Sequence, residues 1–135
     1  MRCLTVLTIG FLSALLLACG GIGLAYDKRL VGDIGLAAID SRQQMSLVKI
    51  NGNGRDTLVS PTVIAVGFNE SHVIAKRHPV DVSRQVDKAV TEYFIVTVHG
   101  EKVDGPLTEL EFRAKRRTLG VDDRLDFTLA FDDLK

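Results

Sequence analysis

The apolar and polar positions of this chain change period several times, and each change marks an element. Leu4 to Ala18 is almost continuously apolar after Arg2, the layout of a secretory leader with a positive start, an apolar core and a small residue before the cut. From Leu30 the spacing becomes two, with Leu30, Ile34, Leu36 and Ala38 on one side and Asp33 on the other, which predicts a half-buried strand. Met45 to Ile50 is a second β-prone run, and Asn51-Gly52-Asn53-Gly54 closes it. Paired Asn-Gly steps favour positive φ, so they predict a hairpin whose return strand is Asp56 to Ser60. Thr62 to Phe68 (TVIAVGF) is apolar on both faces, as a strand covered on each side must be. Asn69-Glu70-Ser71 turns the chain, and His72 to Arg77 returns to a stop at His78-Pro79, where proline removes a ladder donor.

Pro79 to Ala89 is polar and reads as an exposed loop, although Val82, Val86 and Ala89 match a short helical period. Thr91 to Val98 (TEYFIVTV) is β-branched and aromatic, a strand composition, with a closing turn over 99–105. A helix is predicted near 108–119. Thr108 is its cap, Glu111 completes a capping box and Leu107 can staple onto Phe112. Acidic Glu109 and Glu111 at its start, Arg116 and Arg117 near its end and Gly120 beyond it all agree with the helix dipole. Leu125, Phe127, Leu129 and Phe131 alternate as a strand would, while Phe127, Phe131 and Leu134 also fit a helical spacing. The expected fold is therefore α+β and β-rich: one antiparallel sheet, a meander of five or six strands from sequential hairpins, with one C-terminal helix.

The leader ends in Leu16-Leu17-Ala18-Cys19. This resembles the lipobox of bacterial lipoproteins, which implies cleavage after Ala18 and acylation of Cys19. A stretch of 15 residues, Leu4 to Ala18, is short of the roughly 20 needed to span a bilayer. The expected organisation is a signal peptide over 1–18, a lipidated cysteine and glycine-rich tether over 19–29, and one globular domain over 30–135. Cys3 and Cys19 are the two cysteines of the chain, so the exported domain is expected to fold without a disulfide. Seventeen basic residues stand against 17 acidic ones, and losing Arg2 with the leader leaves a net charge of about −1, which argues against nucleic acid as a partner.

Pro61 to Pro79 (PTVIAVGFNESHVIAKRHP), Thr91 to Val96 (TEYFIV) and Gly105 to Val121 (GPLTELEFRAKRRTLGV), together with the lipobox, resemble a family of small bacterial lipoproteins of unknown function. The resemblance implies a lipid anchor and this architecture, and carries no activity. Gly20 rather than aspartate follows Cys19, which by the same resemblance implies the outer membrane in a Gram-negative host. In a Gram-positive host it implies the outer face of the cytoplasmic membrane.

Candidate chemistry is sparse. His72 and His78, with Glu70 nearby, are the only imaginable metal or acid-base set, yet six residues of strand separate the two rings by about 20 Å. His99 comes from another strand. Ser60, Ser71 and Ser83 lack a nucleophile-elbow surround, and the acidic tail Asp122, Asp123, Asp126, Asp132 and Asp133 lacks calcium-loop spacing. No catalytic residue and no cofactor is expected. Arg113, Arg116 and Arg117 form a candidate membrane-facing patch on the helix. The expected role is a non-enzymatic binding or structural module, bound to the membrane through lipid and meeting an envelope protein partner. An inhibitor or immunity-type protein directed at an envelope enzyme is the alternative, and a hydrolytic or metal-dependent enzyme comes behind both.

Overall fold

The computed structural model describes residues 23–135; the expected signal peptide, Cys19 and the start of the expected tether lie outside the described residues. Strands β1 (Leu24–Val31), β2 (Ile34–Ile39), β3 (Ser46–Asn51) and β4 (Gly54–Val59) form one antiparallel sheet in that order. A second sheet is built from β5 (Val63–Phe68), β6 (His72–Arg77), β7 (Glu92–Thr97), β8 (Lys102–Leu107) and β9 (Leu129–Ala130) in the order β8-β7-β6-β5-β9. Helix α1 (Glu109–Thr118) follows β8.

The β-rich α+β class and the C-terminal helix are as the sequence predicts, but the single sheet is corrected to two. The switch falls at Ser60-Pro61, between β4 and β5. Apolar side chains of both sheets share one core: Ile34, Leu36 and Leu47 from the first meet Val63, Val73, Phe94 and Val96 from the second. A single layer would leave one apolar face of β5 in water, and stacking the sheets removes it. Met45, fully buried, anchors the crossing, and its carbonyl accepts the Val63 N–H at 2.9 Å.

The far face of the second sheet carries a smaller core, where Ile74 and Ile95 pack on Phe112 of α1 and on Val121. The layers thus run first sheet, second sheet, helix. Thr108 caps α1 by accepting the Glu111 N–H at 3.2 Å, and Gly120 follows at φ +67°, the left-handed end that glycine permits. Leu107 and Phe112 lie in the same cluster, as the staple requires.

Two further expectations are revised. Residues 24–29, assigned by sequence to the tether, belong to β1; the apparent strand from Leu30 to Ala38 is the end of β1 and the start of β2, reversed at Gly32 and Asp33. The turn over 99–105 is shorter than expected because Lys102 to Leu107 is the edge strand β8. Residues 79–90 form a loop with one isolated bridge, Val80 to Val86, and the tail resolves into the two-residue β9 and a short 3-10 turn over Asp132–Leu134. Gly67 lets that tail lie against β5: a Cβ there would run into the Asp126 carbonyl.

Candidate binding groove

Because one face of the first sheet meets the second sheet, its other face is free to build a site. Strand alternation places Ala37 and Ile39 of β2, Ser46 and Val48 of β3, and Arg55 and Thr57 of β4 on that outer face. The opposite wall comes from the β4–β5 link, the end of β6 and the loop that follows it, with Pro79, Val80 and Val86. Between the walls lies an open groove of about 590 Å³. Its floor is apolar, with Ala37 and Val48 both buried, and its rim exposes Leu24, Ile39 and Val80.

Three arginines line the groove in different states. Arg77 is committed: it pairs with Glu92 at 2.6 Å and donates to Ser60 Oγ at 2.8 Å. Arg55 donates through Nη2 to Asp27 at 3.0 Å, while its Nε is buried without an acceptor among the described residues. Arg84 makes no ion pair among the described residues and sits at φ +64°, in the left-handed region.

The loop that presents Arg84 is held from within. The Asp81 carboxylate accepts from Ser83 Oγ at 2.6 Å, from Ser83 N at 2.9 Å and from Gln85 N at 3.0 Å. The Ser83 hydroxyl bond above all, then the backbone bond from Gln85, holds the Asp81 carboxyl below its ordinary value. This closed turn leaves Val82 at its tip with its side chain wholly in solvent, at 107% of reference exposure.

The sequence-predicted site residues are not brought together. His72 opens β6 and His78 follows its last residue, both buried, and Glu70 is exposed in the turn before the strand. His78 holds the framework together: Nδ1 lies 2.8 Å from the Val90 carbonyl, and its backbone exchanges two hydrogen bonds with Thr62. Among the described residues no group of His, Cys, Asp and Glu is arranged to hold a metal ion.

The helix arginines also divide. Arg116 lies over the Phe112 ring and donates to the Asp122 and Leu125 carbonyls at 2.9 and 2.7 Å, so it ties α1 to the following loop. Arg113 pairs with Glu109 at 2.6 Å. Arg117 is exposed. Sequence reading missed the groove, although β2 (IGLAAI) carries the signal: it is apolar at nearly every position, which a strand with one wet face is not.

The described residues thus define a class, a two-sheet antiparallel sandwich with one helix over its second sheet and a groove on its first. The particular family follows from residues 34–135, which match the protein of unknown function family DUF3997; the chain belongs to that family. Among curated proteins and among solved structures, none matches the chain at a significant level.

Proposed function

We propose that this is a lipid-anchored cell-envelope protein, held to the membrane by acylated Cys19, whose domain is a non-enzymatic binding module acting through the groove on the first sheet. The observation that carries the reading is the groove itself, about 590 Å³ with an apolar floor and an exposed apolar rim. Soluble domains seldom leave a connected apolar surface open without a partner for it. The lipobox supports the anchor. The histidines support a binding role over chemistry, because His78 is engaged with the Val90 carbonyl and His72 lies at the far end of the same strand.

Two measurements on the full chain separate the parts of this proposal. Cys19→Ala abolishes incorporation of a labelled fatty acid and releases the protein from membranes; label retained in that variant refutes the anchor. The apolar probe 1-anilinonaphthalene-8-sulfonate fluoresces in the groove, and an Ile39→Asp, Val80→Asp double variant loses most of that signal. An unchanged signal in a folded double variant refutes the groove as the binding surface.

A further inference from the structure

We infer that the partner of the groove rim is the bilayer in which the Cys19 anchor sits, so that the domain rests on the membrane through Val82, Val80, Ile39 and Leu24. This rests on the lipid-anchor reading and names the surface that the anchored domain turns to the membrane.

Chain length makes the first argument. Leu24 is both the first residue of β1 and part of the groove wall. Leu24 lies five positions beyond Cys19, and at most about 3.6 Å per step that is a reach of about 18 Å whatever path the chain takes. The end of the first sheet that carries the rim is therefore held within about 18 Å of the acyl chains.

Surface chemistry makes the second. The Asp81 carboxylate is turned into its own loop by three hydrogen bonds, and the tip offers Val82 fully exposed, Val80 at 41% and the guanidinium of Arg84. Ile39 at 49% and Leu24 at 38% face it across the groove. Apolar side chains beside an arginine suit the interface, where the first enter the acyl boundary and the second meets anionic headgroups.

The layer order makes the third, against the helix. α1 packs on the far side of the second sheet, and two layer spacings of about 10 Å each separate it from the outer face of the first. Leu110, Arg113 and Arg117 share one helix face by their spacing, and Leu110 is 78% exposed. That face lies on the opposite side of the second sheet from the outer face of the first, and Arg116 is already engaged by carbonyls.

The chain has no tryptophan, so one introduced residue reports depth without background. The acylated full chain, as Val82→Trp or as Leu110→Trp, is reconstituted into vesicles of phosphatidylglycerol and phosphatidylcholine brominated along the acyl chains. Bromine quenches Val82→Trp at least twofold relative to unbrominated vesicles and leaves Leu110→Trp within a tenth of its unquenched intensity. Stronger quenching of Leu110→Trp, equal quenching of both, or quenching of neither in acylated protein overturns the inference while leaving the anchor intact. Absence of acyl label on Cys19 removes the anchor, and the inference with it. Both substituted positions are exposed, so misfolding does not confound the comparison; circular dichroism matching the parent checks this.

Discussion

Single residues differ here in whether their neighbours can yield. Gly67 faces main chain: its missing Cβ is occupied by the Asp126 carbonyl, and a backbone clash cannot be relieved by a rotamer change. Gly67→Ala is expected to cost about 3 kcal/mol, seen as a lower urea midpoint. Gly52 is the contrast, because nothing lies near it and only its φ of +56° resists substitution. Gly52→Ala costs about 1 kcal/mol. His78 is a structural histidine, 5% exposed and joined to the Val90 carbonyl. His78→Ala leaves that carbonyl without its donor and lowers stability by about 2 kcal/mol, whereas added zinc or a chelator leaves the melting temperature of the parent unchanged. The sequence exhibits the His-Pro stop plainly. It does not exhibit the ring's partner, which lies 12 positions on and is brought near only when the loop closes.

Elements show where periodicity is sufficient and where it fails. β5, β6, β7 and α1 follow directly from residue pattern, because each has an apolar face or a cap encoded in consecutive positions. Thr108→Ala, which removes the hydroxyl that accepts the Glu111 N–H, is expected to cost about 1 kcal/mol and to speed amide exchange in the first turn of α1. β1 and β8 are illegible for a shared reason. Both are edge strands with one neighbour, and their exposed positions carry charges as edges do. β8 also contains Gly105 and Pro106, which read as a turn.

The groove loop is held by backbone hydrogen bonds and the Val80 to Val86 bridge, and one carboxylate tightens its tip. The carboxyl of Asp81 is held below its unfolded value, so its contribution is complete above about pH 4 and is lost as pH falls through the depressed folded value. Amide exchange at Ser83 and Gln85, corrected for the intrinsic effect of pH, accelerates below that range. Asp81→Asn accelerates it at neutral pH already and makes it insensitive to acid.

At the scale of the whole molecule, two sheets share one core, and long-range polar contacts clamp its edges. Lys49 of β3 pairs at 2.7 Å with Glu101 in the β7–β8 turn, and this hydrogen bond raises the lysine above its ordinary value. Tyr26 of β1 meets Phe131 edge-on at 5.3 Å, with Arg42 over both rings and paired to Asp133. Such a core predicts one cooperative transition. Far-ultraviolet ellipticity and the near-ultraviolet tyrosine signal should lose structure together, and Leu47→Ala, in the shared core, should shift both equally at a cost of about 3 kcal/mol. Separate transitions for the two signals would mean that the sheets are independent.

Amino-acid order by itself determined the β-rich class, the hairpin over Pro61 to Pro79 and the capped helix, because each depends on residues within about one turn or one hairpin of each other. Only the tertiary structure decided that the strands form two sheets, that Leu24 begins a strand, and that the outer face of β2 to β4 meets the Pro79 to Val86 loop in a groove. Those outcomes depend on which apolar faces bury each other. A face is encoded one residue at a time, but its partner is chosen among all the faces that the folded chain offers.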